Sequence, residues 1–360
     1  MSAEIKQRVL GKDVIAVCNA DFPTPTMVEF IGELGFDVLF VDCEQSSTDF
    51  SLVEELGRAA RLTNMASVLR PWSNERHGAA IGEIWYGRST RTAPDPSLLL
   101  KLLFTSQPLS IQVHPDDARA QSIGLPNGKT EAWYVLSAAP EAKVALGLRQ
   151  RLTAQQLRQA VADGSISDLV VWRAVRAGDA IFVPAGTIHA IGAGLVIAEL
   201  QQRSDTTYRL FDHGRGRELH IEHAIAAADA GPADLHVLPT RLSDTRTLLI
   251  VNAYFMFEKI ELAANSAWCL EARQETWLLV VDGNARAGSF DVATGDVVFA
   301  QADRVNLHVG PAGMVGLVGY AGGEQAPHLL QRLEQSGAID SISLPQAKTI
   351  PSNGRLETAK

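Results

Sequence analysis

LSIQVHP (109–115) is the stretch that decides how this chain reads. In an extended segment, residues two apart point to the same side. Ser110, Gln112 and His114 therefore face one interior, while Ile111 and Val113 face the opposite layer. Outward from it, short runs of Val, Ile, Leu and Phe recur between Gly, Pro and Asp: EAWYVLSA (131–138), KVALGL (143–148), DAIFVPAG (179–186) and LVIAELQQ (195–202). A second group follows in RTLLIVN (246–252), YFMFEKIEL (254–262), ETWLLVVDG (275–283), DVVFA (296–300), NLHVG (306–310) and GLVGYAG (316–322). Many short strands with Gly and Asp turns indicate β-sandwich or barrel domains. The two sets predict a mainly β chain with two such domains, 72–240 and 241–325, joined near 225–245. TAQQLRQAVADG (153–164) is the one clear helix here, with Thr153 as its N-cap and Gly164 as its stop, inside an insert near 153–168. The tail over 326–360 turns polar and aperiodic from about 340.

The first 71 residues have a different texture. VIAVC (14–18), FDVLFVDCE (36–44) and ASVLRP (66–71) read as strands, and PTPTMVEFIGELG (23–35) and SLVEELGRAARL (51–62) as helices between them. Strand, helix, strand, helix, strand begins a parallel α/β unit. It is too short to close an eight-stranded barrel.

Composition narrows the function classes. A net charge of −9 over 360 residues argues against nucleic acid, whose phosphates need Lys and Arg. Cys18, Cys43 and Cys269 match neither a disulfide framework nor a Cys-rich zinc site, which fits a reducing compartment. The N-terminus lacks the order of a signal peptide, and no apolar run reaches the roughly 18 residues of a membrane span. The expectation is a cytoplasmic protein without a membrane or nucleic-acid partner.

The chemistry gathers around the QVH segment. Glu131 opens the next strand, Lys129 lies two residues before it, and His189 follows the turn VPAGTIHAI. One Gln, two His and one Glu make a mixed nitrogen and oxygen site suited to Zn²⁺ or another borderline divalent ion. The competing reading is that the histidines are buried and hydrogen-bonded, and that Gln112 satisfies the backbone. Further on, Glu199 and Gln201 share a strand face, and Arg209 follows the turn at Ser204-Asp205. Arg209 can hold an anionic substrate or steady a developing oxyanion; its bland reading is a surface ion pair with Asp205 or Asp212.

Together, IGEIWYG (81–87), LLLKLLFTSQPLSIQVHPDD (98–117), GKTEAWYVL (128–136) and VPAGTIHAIGAGLVIAELQQRSDTTYRLFDHGR (183–215), with the strands around 254–262, resemble the class I mannose-6-phosphate isomerase family. The resemblance covers about 72–325, in the family's order and in its short bacterial form. It implies two cupin domains, jelly-roll β-barrels of which the first binds one Zn²⁺ and the second, with His308 alone on a strand, is structural. It places the metal ligands on Gln112, His114, Glu131 and His189, and the active-site lysines on Lys101 and Lys129. Ser110 and Arg209, with Lys129, fall on substrate-binding positions, and Glu199 and Arg209 on the family's acidic and basic pair. The implied reaction interconverts mannose 6-phosphate and fructose 6-phosphate through a cis-enediol. Glu199 is the candidate base, with a metal-bound water or a Lys as alternatives. An isomerase of another sugar or sugar phosphate, or a non-catalytic sugar-binding cupin, remain alternatives.

Two departures stand out. Trp72-Ser73 replaces the family's Trp-Gly. Residues 11–71 resemble instead the beginning of the HpcH/HpaI aldolase family, a (β/α)₈ barrel. There Arg70 matches a substrate-binding Arg, but Gln45 stands where that family has its His, and the later strands with the metal ligands are missing. No aldolase activity is expected from this chain.

Overall fold

A computed structural model describes residues 17–19, 38–42, 66–70, 83–86, 95–233 and 238–333. The chain divides into two compact units, Met1–Glu83 with Ser352–Lys360, and Ile84–Pro351. In the first, β1 (Val17–Asn19), β2 (Val38–Asp42) and β3 (Ala66–Arg70) form a parallel sheet in that order. These are the three strands expected of an α/β start. The helices expected at 23–35 and 51–62, Gln45, the Trp72-Ser73 junction and the tail from 334 lie outside the described residues.

The second unit is built from β-strands. One five-stranded sheet holds β4 (Glu83–Tyr86), β5 (Leu98–Thr105), β7 (Glu131–Ala138), β10 (Ala180–Val183) and β12 (Leu195–Gln202), in the order β10-β7-β12-β5-β4. The other holds β6 (Ile111–Val113), β8 (Lys143–Leu148), β9 (Val170–Ala174), β11 (His189–Ile191) and β13 (Tyr208–Phe211), in the order β13-β6-β11-β8-β9. Alternation along the strands sorts their side chains into three layers. Leu103, Trp133, Val135 and Ile197 of the first sheet meet Val144, Leu146 and Ile191 of the second inside the barrel. Ile111, Val113, Ile188, Tyr208 and Leu210 face outward, beneath the helices. Leu98, Leu100, Leu102, Ala132, Tyr134, Ala198 and Leu200 form the outer face of the first sheet. Because both sheets are covered on both faces, the strands read as near-continuous apolar runs, broken only where a polar residue points inward.

Four short helices accompany this barrel: α1 (Asp117–Ser122), α2 (Ala154–Ala162), α3 (Ile166–Leu169) and α4 (Ile221–Ala227). Only α2 was legible in sequence. Thr153 and Gln156 close a reciprocal capping box at its start, and Gly164 follows with φ of 80°. The other three have 6, 4 and 7 residues, too few to display a helical period.

The second β domain comprises β14 (Thr240–Arg241), β15 (Arg246–Val251), β16 (Phe255–Leu262), β17 (Ala267–Ala272), β18 (Thr276–Ala287), β19 (Phe290–Ala293), β20 (Val297–Ala300), β21 (Asp303–Ala321) and β22 (Leu330–Arg332) in one nine-stranded sheet. The sequence suggested two strands at 306–310 and 316–322, but β21 runs unbroken for 19 residues. Its first half pairs with β17 and its second with β16, while β18 follows both halves through two register shifts. The GPAG segment at 310–313 is therefore a bend inside a paired strand, with Gly313 at φ of 82°, and not a turn.

The two β domains meet through the outer face of the first sheet. Leu98, Leu100, Ala198 and Leu200 pack with Leu249, Phe255, Phe257, Trp277, Leu279 and Leu317. Gly319 permits the close approach, since a Cβ there would lie 2.5 Å from Leu200 Cδ2. Buried Glu275 pins the start of β5: its carboxylate accepts from Ser97 N at 2.6 Å, Ser97 Oγ at 2.7 Å, Leu98 N at 2.9 Å and Trp277 Nε1 at 2.8 Å. Leu200→Ala is expected to cost about 2–5 kcal/mol through the cavity left between the domains, read as a lower urea midpoint at unchanged m-value.

Candidate metal centre

The inward face of the first barrel changes character along its length. Above the apolar layer, β5 presents Lys101, β7 presents Glu131 and β12 presents Glu199, and the register sets Glu199 opposite both Lys101 and Trp133. From the other sheet, His189 at the start of β11 lies opposite Gln112 of β6, and His114 stands just past the end of β6. His114, Glu131 and His189 are each about 1% exposed, and one donor atom from each lies within 4.8 Å of the others.

The surroundings fix the donors. His114 Nδ1 is 2.8 Å from the Thr206 carbonyl and His189 Nδ1 is 2.9 Å from the Thr187 carbonyl. A carbonyl only accepts, so each Nδ1 carries the proton and each Nε2 turns its lone pair inward, the arrangement that metal-ligating histidines use. His114 Nε2 is 3.1 Å and His189 Nε2 3.8 Å from the Glu131 carboxylate. Burial, then Lys129, pushes the His114 imidazole down to about 3, and burial lowers His189 as well, so both are neutral near pH 7. Burial alone would raise the Glu131 carboxyl, but Lys129 and then His114 hold it well below the usual range. Two neutral imidazoles and an ionised carboxylate fit a divalent cation.

Lys129 and Lys101 are both buried. Lys129 Nζ lies 2.6 Å from Glu131 and 3.4 Å from His114 Nε2, among the donors themselves. Although burial opposes it, Glu131 and then Glu199 raise its pKa, so it stays an ammonium. Lys101 Nζ lies 3.8 Å from Glu199 and 3.8 Å from the centre of the Trp85 ring. Gln112 Oε1 accepts from Ser110 Oγ at 3.0 Å, and its Nε2 faces His189 Nε2 at 3.3 Å. Gln112 therefore joins a metal only after its amide turns over to offer oxygen. Arg209 sits opposite Gln112 in the β13–β6 register. The suggested ion pair with Asp212 does not form, because Arg215 and Arg217 hold that carboxylate, and Arg209 Nε is buried without a hydrogen-bond partner.

Sequence reasoning missed Trp133. Its indole N–H donates to Glu199 at 2.9 Å and to Glu131 at 3.2 Å, tying the candidate base to the candidate ligand. The period-two spacing Glu131-x-Trp133 was the available signal. Gln201 is fully buried, and its Oε1 has no hydrogen-bond partner. The carbonyls of Thr187 and Thr206 carried no signal, since any residue type offers that group. A cleft of about 190 Å³ is lined by Trp85, the ring that Lys101 Nζ stacks on, with Leu99, Arg203, Ser204 and Asp205. A larger one of about 500 Å³ shares Arg203 with it but holds none of the donors. No helix among the described residues is long and apolar enough to cross a membrane.

Mannose-6-phosphate isomerase from Streptococcus mutans is 42% identical over 218 residues, covering 58% of this chain and 67% of that protein. Mannose-6-phosphate isomerase ManA of Bacillus subtilis is 34% identical over 238 residues, covering 62% and 72%. The crystal structure of the mannose 6-phosphate isomerase from Bacillus subtilis superposes with a TM-score of 0.55 at 26% identity, covering 63% of this chain and 76% of that one. No family profile matches the chain.

The depressed His114 pKa makes a signed prediction for the metal-free protein. The unfolded chain takes up a proton near 6.5 that the folded site refuses until about 3. The stabilisation is thus fully present above about 6.5 and is lost as pH falls towards 3. Urea midpoints measured from pH 7 to pH 4 should fall, and His114→Gln should flatten that slope.

Proposed function

This chain belongs to the mannose-6-phosphate isomerase family, and from that premise we propose that it interconverts mannose 6-phosphate and fructose 6-phosphate through a cis-enediol, with one Zn²⁺ as its metal. The observation that carries this reading is the buried His114–Glu131–His189 group with Glu199 tied to it through Trp133.

The conversion takes a proton from C2 of the open-chain aldose and returns it to C1. It requires a base within hydrogen-bonding reach, positive charge for the enediolate oxygens and a grip on the phosphate. His114, Glu131, His189 and, once its amide turns, Gln112 would hold the ion, which when bound supplies Lewis-acid polarisation of the sugar oxygens. Glu199 takes the proton from C2 and delivers it to C1. The Trp133 N–H fixes one of its oxygens, and Lys101 Nζ lies 3.8 Å from the other. Lys129, an ammonium among the donors, adds charge where the oxyanion develops. Ser110 and Arg209 flank Gln112 and reach the substrate from the second sheet. The apolar layer below closes the barrel behind the reacting carbons and excludes water. Residues 11–71, with Gln45 in place of a histidine, take no part in this chemistry.

Metal-loaded full chain should convert mannose 6-phosphate to fructose 6-phosphate, and a chelator or His114→Ala should abolish turnover. Glu199→Gln should lower kcat by about 10²–10⁴-fold while bound metal stays stoichiometric. A metal-loaded chain inert towards both sugar phosphates removes the assignment.

A further inference from the structure

Two glutamines stand side by side at the end of β12, and the fold uses them differently. Gln202 is bound at both ends: its Oε1 accepts from Thr130 N at 3.0 Å and its Nε2 donates to Asp117 at 3.0 Å. Gln201 is bound at one. Its Nε2 donates to the carbonyls of Ser204 at 2.5 Å and Gln202 at 3.1 Å, while its Oε1 is buried without a hydrogen-bond partner. Turning the amide over does not repair this, because both carbonyls only accept and would then meet an oxygen. The acceptor is therefore held in one direction and left open. Buried polar atoms are otherwise almost always paired, so an open one on a fully buried side chain calls for a partner that arrives from outside.

Gln201 shares the inward face of β12 with Glu199, and lies opposite Leu99 of β5 and Glu131 of β7. The donors of this layer are engaged elsewhere: Trp133 Nε1 with Glu199 and Glu131, Lys129 Nζ with Glu131, and Gln112 Nε2 beside His189. Leu99 and Ser204 both line the cleft of about 190 Å³, so Gln201 is flanked by cleft-lining residues. The chemistry of the missing partner follows from the charges present. Lys129 with Glu131 and Lys101 with Glu199 balance two ammonium groups against two carboxylates, and the divalent ion that the centre fits adds positive charge. A further cation is disfavoured there, which leaves a neutral donor, and in a polyol that donor is an alcohol O–H. Two residues along a strand span about 6–7 Å, so with Glu199 at C2, Gln201 meets the sugar chain beyond the reacting carbons.

We propose that Gln201 is a specificity-determining residue, whose Oε1 accepts from a hydroxyl group on C3 or C4 of the open-chain sugar phosphate. The inference rests on the isomerase reading for the identity of the sugar, and an open-chain hexitol phosphate probes the contact without turnover. Calorimetric titration of the metal-loaded full chain should show mannitol 6-phosphate binding about tenfold more tightly than its 3-deoxy or its 4-deoxy analogue. In Gln201→Met the parent compound should weaken about tenfold and fall within about twofold of that analogue, because the contact that separated them is gone. The KM for mannose 6-phosphate should rise by a similar factor with kcat little changed. Gln201→Lys keeps a donor for the two carbonyls and removes the acceptor; it reads the same ratio if Gln201→Met fails to fold. A variant that weakens the parent and both deoxy compounds by one common factor shows a merely structural role and overturns the contact. An unmodified chain that binds all three alike, or none of them, overturns it as well. Turnover of mannose 6-phosphate alongside any of those results leaves the isomerase standing. The expected ratios in a chain that never turns over mannose 6-phosphate keep the contact and lose the isomerase.

Discussion

Everything in the first barrel is arranged around one constraint: charges taken into a closed β-barrel must be matched there. An unpaired ion in such an interior costs several kcal/mol. Glu131 is matched by Lys129 at 2.6 Å, and Glu199 has Lys101 at 3.8 Å and the Trp133 N–H at 2.9 Å. The matching is confined to one layer; two to four residues further along β5, β7 and β12 the inward positions are Leu103, Val135 and Ile197, and the interior is apolar. The same pairing gives the centre its chemistry. Lys129 Nζ, 2.6 Å from Glu131, approaches the same carboxylate oxygen that His114 Nε2 faces at 3.1 Å, so an ammonium sits among the groups that would hold a divalent ion.

The constraint also explains why the supporting groups are mostly backbone. Two histidines that must keep Nε2 as an acceptor need Nδ1 donors satisfied, and Thr187 and Thr206 do this through carbonyls whose positions follow from the turns before β11 and β13. Side-chain identity at those two positions is irrelevant to the task. The geometry is carried by the fold and not by composition.

That distinction marks what could be read in advance. The strands at 131–138, 143–148 and 195–202 were legible to the residue, because each alternates between two buried layers and ends at a turn. Period two put Ser110, Gln112 and His114 on one interior and Glu199 with Gln201 on one strand face, while only the family resemblance joined Glu131 and His189 to them. The short helices escaped because one or two turns carry no period, and β21 escaped because Gly310-Pro311 resembles a break when no partner strand is known. The ion-pairing of Lys101, the bridging role of Trp133 and the Asp212 clamp depend on which strands lie side by side. One sequence does not state that order.

The sheet formed by β4, β5, β7, β10 and β12 works on both sides. Its inner residues hold the charged layer, while their immediate neighbours Leu98, Leu100, Leu102, Ala132, Ala198 and Leu200 are covered by Phe255, Phe257, Trp277 and Leu317 of the second β domain. The second domain carries no donor of the metal centre, but without it this leucine-rich surface would face water. A trimmed protein ending near residue 240 would therefore retain every proposed ligand and still be poor to produce: it would self-associate through the sheet that carries the candidate metal centre.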